Sequence, residues 1–475
     1  MTVWLEIHIK LKSATKLFCQ CQNIQNFDNL LPNTHVCPVC TGQPGALPVL
    51  SKECLEKAMV LGKTLACTIN SISRFDRKSY FYPDLPMGYQ ITQFFSPTNT
   101  DGKVSYYTDN FTTEHTVSIR QAHIETDTAK MIHDQGSALL DFNRAGTPLV
   151  EIVTGPDFSS IDEVNEFLKE LQRIVRYNDI GDADMEKWQM RVDVNISIRP
   201  DNAAPLGTRV ELKNINSFGA VRRAVEVEYA RQAALYDAGE SFEQQTRGWD
   251  DAKGESYLMR KKSDNLDYRY FPEPDLPALQ LQPSDFAWLD TQKIEIPHHI
   301  IRTCKEQYGF NKEYINALIG DKAVLDYFLA CIADGVQPKT IAKWLTGPIA
   351  AFTTEQLITL EQLSFDRSKF IAFCTLADSG TINDNQAKEV LAVMLQTGQD
   401  AADIVREKWF DAPGLSDDEI AAIAQTVLDA NPDIVAQYKG GKTTTIWFFT
   451  GQVMKQTAGK AKPQQVQDIL QKLLA

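Results

Sequence analysis

Three stretches of this chain alternate apolar and polar residues with the period of a β-strand. In LEIHIKL (5–11), Leu5, Ile7, Ile9 and Leu11 fall on one side, and Glu6, His8 and Lys10 on the other. RVDVNISIR (191–199) sets Val192, Val194, Ile196 and Ile198 against Arg191, Asp193, Asn195, Ser197 and Arg199. RVELKNIN (209–216) brings Arg209, Glu211 and Lys213 together in the same way. Successive side chains of a strand project to opposite faces, so each ribbon buries one face and lines up acids and bases on the other. One such strand could be polar merely because it faces water. Three that mix acids with bases predict an enclosed polar trough on a sheet floor.

Two further segments supply chemistry to that trough. AHIETDTAK carries His123, Glu125, Asp127 and Lys130, and GTPLVEIV places one acid, Glu151, in an otherwise apolar strand. An ionised carboxylate there costs several kcal/mol unless it is paired or metal-bound. Carboxylates with an imidazole and water suit a hard divalent cation, and magnesium usually keeps waters and a substrate phosphate. The expectation is therefore a phosphate-handling metal site. FDRKSYFYPDLPMGYQITQF (75–94) adds Arg77, Lys78 and several tyrosines, a composition able to stack on a nucleotide or a tRNA end. Familiar nucleotide signatures are missing: AQYKGGKT (436–443) ends like a P-loop but has Ala436 where the first glycine is needed. No Rossmann fingerprint, nucleophile elbow or glycine- and serine-rich amidase stretch is present.

Four of nine cysteines fall as Cys19-x-Cys21 and Cys37-x-x-Cys40. Each short pair can chelate one edge of a tetrahedron, so the four predict a thiolate zinc site. Cys54, Cys67, Cys304, Cys331 and Cys374 stand singly and read as core fillers.

At 475 residues the chain exceeds one core, and roughly two to four domains are expected. A net charge of −14 argues against a protein coated in nucleic acid, while leaving room for a local basic patch. No apolar run approaches the ~20 residues of a membrane span and no signal segment is read at the start, so the expected location is the cytoplasm. Strand patterns dominate to about residue 285, helical patterns follow, and the fold class expected is α+β. The divisions expected are a strand-rich catalytic domain (1–285), a helical domain (286–404) and a small helical tail (405–475). SIDE at 160–163 reads as a capping box, opening a helix with Val164, Phe167, Leu168, Leu171, Ile174 and Val175 on one face. Residues 401–437 hold two basic and eight acidic side chains, whereas 438–475 hold six lysines and one aspartate.

Read together, LEIHIKL, FDRKSYFYPDLPMGYQI, LDFNRAGTPLVEIV, RVDVNISIRP, ELKNINSF, YRYFPEPDLP and GQVMKQTAGKAKP resemble the B-subunit family of aspartyl/glutamyl-tRNA amidotransferases, GatB/GatE. The likeness runs from residue 3 to the end in the family's order. It implies a cradle-shaped catalytic domain, a helical domain and a tail similar to the YqeY proteins. It also implies an ATP-dependent ligase of translation that amidates Glu-tRNA(Gln) and often Asp-tRNA(Asn). Ammonia comes from glutamine on a partner A subunit, with a small C subunit bracing the two. The missing amidase signature is explained, because the glutaminase belongs to another chain.

By the same resemblance, His8, Glu125 and Glu151 hold magnesium, with Glu6 nearby. Asp193, Asn195, Glu211 and Lys213 position ATP, a second metal or the aminoacyl end. Arg191 clamps phosphate, Asn214 joins the nucleotide-binding set, and Lys78 lies where ammonia enters. Lys439, Lys442, Lys455, Lys460 and Lys462 are the tail's candidates for tRNA. Thr126 stands where the family has an acid partner for Lys78, which puts an acid-gated channel in doubt. Trp4, Trp188 and Trp447 fall where the family normally has glycine, and such bulk should clash with close-packed backbone. Our expectation is that UGA encodes glycine in the source gene. A tRNA-binding protein without catalysis and a zinc-bearing structural factor are the competing classes.

Overall fold

The computed structural model describes residues 1–27, 30–134, 136–201, 204–261, 267–410, 415–457, 461 and 463–474. The chain divides into two compact units, Met1–Lys312 and Glu313–Ala475.

A nine-stranded sheet organises the first unit. Its order is Glu255–Lys261, Gln245–Asp250, Val210–Lys213, Met190–Ser197, Thr2–Lys10, Pro148–Thr154, Thr113–Thr126, Asn99–Thr108 and Thr68–Ile69. The opening strand is thus the central one. Neighbours are antiparallel except Val210–Lys213 and Gln245–Asp250, a parallel pair whose connection carries the helix Phe218–Asp237. The alternation read in the sequence holds on the apolar side: Leu5, Ile7, Ile9, Val150, Ile152, Val194 and Ile196 are fully buried. They share one core with side chains of the helices Lys52–Thr64, Ile161–Tyr177 and Phe218–Asp237. The opposite face is left for polar groups.

The helix Ile161–Tyr177 begins where its sequence predicts, but the returning half of the expected capping box is shifted by one residue. Ser160 Oγ accepts from the Glu163 N–H, while the Glu163 carboxylate takes the backbone N–H of Ser159, one residue outside the cap. All six apolar residues of the expected face are buried.

The proline-rich segment after residue 270 is a strap rather than a linker. Phe271–Pro272 pairs with Asp76–Arg77, and Leu279–Gln280 pairs with Ile72–Ser73. The helices Pro283–Thr291 and Pro297–Glu306 then stay with the first unit. Glu295 O accepts from Asn178 Nδ2 at 2.8 Å, and Lys305 Nζ donates to Phe111 O at 2.6 Å. The two units therefore part near 312, whereas the composition shift lies near 285.

The second unit is helical throughout its described residues. The helix Ala401–Glu407 runs across the 404/405 division drawn from charge. Helices Asp417–Asp429, Ile446–Gln456 and Pro463–Leu474 enclose a core of their own, with Ile420, Ala424, Phe449, Val453, Val466 and Leu470. No helix among the described residues is long and apolar enough to cross a membrane.

Two tryptophans occupy left-handed backbone, Trp188 at φ +59° and Trp409 at φ +57°. Each sits inside a turn closed by a bond spanning six residues, Gln189 N–H to Asp184 O and Phe410 N–H to Val405 O, both 2.9 Å. Glycine is the residue such turns favour. The expected steric clash is absent at Trp188 and Trp447, which are 55% and 67% exposed. Strain at Trp188 lies in the backbone rather than in packing.

Candidate functional site

Strand register builds the site. On the polar face one row runs His123, Glu151, His8, Arg191 across four adjacent strands, each directly opposite the next. The following steps set Glu6 opposite Asp193, and Asn195 opposite Glu211. Glu125, two residues beyond His123, comes to the same spot: His8 Nε2 is 3.1 Å from Glu125 Oε1 and 3.9 Å from Glu151 Oε2. His123 Nε2 lies 3.1 Å from Glu151 and 3.7 Å from Glu125. One ligand atom from each of His8, Glu125 and Glu151 falls within 4.8 Å of the others, a spacing that fits one divalent cation.

The electrostatics follow from this crowding. Burial opposes an imidazolium at His8, but Glu151 and Glu125 outweigh it and hold the pKa above its ordinary value. At His123 the same contest, with both carboxylates accepting hydrogen bonds, raises the pKa to about 9. Burial likewise opposes ionisation of Glu125 and Glu151, and the two imidazoles reverse it, so both stay below the usual carboxylate range. Thr92 Oγ1 donates to Glu125 at 3.1 Å and fixes it further.

A second acidic group lies on the other flank of the opening strand. Glu6, Asp193 and Glu211 offer oxygens within 4.8 Å of one another. Lys213 bridges them, bonding Asp193 and approaching Glu211 Oε1 at 2.9 Å. Thr246 Oγ1 donates to Glu211 at 2.8 Å, and Arg260 lies 3.7 Å away. Asn195, fully buried, donates to Glu6 at 3.1 Å. Burial, with Glu151 and Glu211 nearby, raises the Glu6 pKa; Lys213 is raised against burial by Asp193 and Glu211.

Both groups open into one cavity of about 690 Å³, walled by Lys78, Tyr80, Phe94, Arg209, Arg260, Tyr268 and Tyr270. Lys78 Nζ stands 4.9 Å from the centre of the Tyr268 ring. Although burial works against its charge, Glu125 and other groups keep its pKa above the ordinary lysine value. Thr126 does not line this cavity; it faces a separate space of about 300 Å³ beside Cys19, Cys40 and Met87.

Other expected residues lie nearby or elsewhere. Arg191 reaches Asp127 Oδ1 at 3.1 Å and borders a side pocket with His8, Lys213 and the exposed Asn214, which has φ +64°. Arg77, grouped in the sequence with Lys78, is instead locked by Glu273 at 2.7 and 2.8 Å and stacks over Tyr89. Lys10 departs from its polar row: it is buried, donates to Ile24 O and sits 4.4 Å from the Phe27 ring centre. Lys439, Lys442 and Lys455 are exposed in the second unit, and Lys460 and Lys462 lie outside the described residues. Thr246 and Arg260 were given no site role from sequence. His123 was placed in the trough with its segment but given no ligand or catalytic role, although it shares the alternating face with Glu125.

The four cysteine sulfurs of Cys19, Cys21, Cys37 and Cys40 also converge within 4.8 Å, and none forms a disulfide. Four soft donors in one cluster fit a tetrahedral zinc ion. Cys54, Cys304, Cys331 and Cys374 are buried, as core fillers, whereas Cys67 is only half-buried.

A family model described as the GatB/GatE catalytic domain matches residues 1–287. The chain belongs to the GatB/GatE family. A second family model, described as the GatB domain, matches residues 326–474. Among similar proteins is the B subunit of the aspartyl/glutamyl-tRNA(Asn/Gln) amidotransferase of Symbiobacterium thermophilum, 39% identical, covering 97% of this chain and 95% of that one. The B subunits of the same name from Elusimicrobium minutum and Pseudothermotoga lettingae are each 40% identical, covering 99% of this chain and 98% of theirs. The resemblance read in the motifs thus extends over the length of this GatB/GatE member.

Proposed function

We propose that the chain is the subunit of a tRNA-dependent amidotransferase that activates the side-chain carboxylate of Glu-tRNA(Gln), Asp-tRNA(Asn) or both with ATP, and then amidates it. The observation that carries this reading is the meeting of His8, Glu125 and Glu151 from three adjacent strands at the floor of a cation-walled cavity.

A carboxylate accepts ammonia poorly because oxide is a hopeless leaving group. Its oxygen attacks the γ-phosphorus of ATP and ADP departs; ammonia then adds to the carbonyl of the acyl phosphate and sheds a proton, and phosphate leaves as the amide forms. His8, Glu125 and Glu151 hold magnesium, which when bound offsets the charge that builds as two anions meet. Lys213, fixed between Asp193 and Glu211, presents an ammonium to phosphate, while Asn195 and Glu6 keep that flank in register. Arg191 and Asn214 border the side pocket and orient the nucleotide or aminoacyl end. Lys78 stays protonated, so it attracts anions at the cavity wall and does not take a proton from ammonia. Ammonia is supplied by the A subunit, with the C subunit as brace. Lys439, Lys442 and Lys455 meet tRNA phosphates, and the four-cysteine cluster holds structural zinc.

Reconstituting the chain with its A and C partners tests the reading. Conversion of Glu-tRNA(Gln) to Gln-tRNA(Gln) should require ATP and vanish with His8→Ala. A wild-type complex yielding no ATP-dependent amide would leave the non-catalytic tRNA-binding class ahead.

A further inference from the structure

Lys16 is fully buried, and no carboxylate pairs with it among the described residues. Its Nζ donates to His35 O at 2.9 Å and Phe142 O at 3.4 Å, and lies 3.6 Å from Cys40 Sγ. Two carbonyl dipoles do not neutralise an ammonium, whose burial without a counter-charge costs several kcal/mol. The sulfur cluster is the remaining source of negative charge at that spot.

We propose that Lys16 is the outer cation of a four-thiolate metal centre, donating to Cys40 Sγ and tying that centre to the base of the connection between the strands of Glu125 and Glu151. A divalent ion with four thiolates carries two surplus negative charges, and one ammonium at Cys40 halves them. An N–H donor also draws electron density from the sulfur, which tunes the metal–sulfur bond. The attachment is backbone-deep. Leu17 N–H bonds Gly146 O at 3.0 Å, Gly146 N–H bonds Asp127 O at 3.1 Å, and Asp127 N–H bonds Thr147 O at 2.8 Å. A Cβ at Gly146, where φ is +80°, would meet Cys40 Cβ at 3.3 Å, so this glycine is what lets the cluster sit so close. Asp127 follows the Glu125 strand directly, and Pro148, next after Thr147, begins the Glu151 strand.

The test uses the full-length chain loaded with cobalt(II), read by its thiolate-to-cobalt charge-transfer band and by zinc competition, neither of which involves turnover. Lys16→Met should weaken metal binding by about 10–100-fold and move the band to lower energy, because uncompensated thiolates give up electron density more readily. Lys16→Arg should restore both. If Lys16→Met does not fold, Lys16→Gln keeps a donor without the charge and should show the same directions, less strongly. A foldable Met or Gln variant with wild-type affinity and an unmoved band overturns the proposal, and so does an Arg variant that behaves like Met.

Discussion

Glu125 and Glu151 are balanced by two imidazoles, whereas Asp193 and Glu211, across the opening strand, are balanced by Lys213, with Arg260 farther off at 3.7 Å from Glu211. The two flanks share a sheet face and a cavity, yet they answer a metal ion differently. His8 and His123 hold their protons only through the same two carboxylates, and an imidazole that loses its proton offers a ring nitrogen, so a cation can take the proton's place beside Glu125 and Glu151. Lys213 keeps its charge, held above the ordinary lysine value by the very acids it bridges. One flank is therefore exchangeable and the other preset, and Glu6, raised by burial and by acids from both sides, lies between them.

The most damaging way to probe that contrast is Glu125→Gln, which removes charge from the exchangeable flank with little change of shape. ATP consumption in a single turnover with Glu-tRNA should fall by about 10²-fold or more. The His123 pKa, followed by NMR, should drop from about 9. An unchanged rate would show that the flank does not stabilise charge in the reaction. Lys213→Met attacks the preset flank and should lower unfolding stability by ~2 kcal/mol, less than a fully buried pair because the site is partly wet. Millimolar magnesium should recover part of that loss, since bare Asp193 and Glu211 can then take a cation. Urea denaturation with and without magnesium reads both effects, and no recovery would break the contrast.

Smaller effects sharpen it. Arg191 and Arg144 overcome burial to hold the Asp127 pKa below its ordinary 3.8. The stability this contributes is fully present above that value and disappears as pH falls through the depressed folded pKa. Urea midpoints measured from pH 5 downward should fall more steeply for wild type than for Asp127→Asn. Trp188→Gly opens the side pocket that borders both flanks, and it should raise stability by ~1 kcal/mol through relief of its positive φ. Sequencing the codons for Trp4, Trp188 and Trp447 checks the glycine expectation directly: UGG at any of them means a genuine tryptophan there.

Much of this was legible in the alternation itself. Leu5, Ile7 and Ile9 announced which face is buried, and His8, Glu125 and Glu151 were readable as polar residues on the opposite side. What alternation cannot carry is strand order. Nothing in residues 5–11 says that their neighbours are 148–154 and 190–197, because pairing partners are chosen by the whole sheet. Lys10 broke its row because a carbonyl and an aromatic ring at residues 24 and 27 fold back over it. Lys16 gave no signal at all, being one lysine in a loop whose surroundings arrive from residues 35, 40 and 142. The compact unit runs past 285 to 312 for a related reason: prolines there mark a short strap that pairs, and composition alone does not separate a strap from a tether.

The central place of the first strand has a consequence for biosynthesis. Thr2 pairs with Ser197, so this strand, once synthesised, waits for that partner until nearly two hundred further residues have been made. At ~5–20 residues per second, that delay lasts ~10–40 s. Until residues 148–154 are made, a ribbon of Leu, Ile and Val has no ladder on either side, and from then until 190–197 it has only one, which makes the nascent chain a customer for holding chaperones.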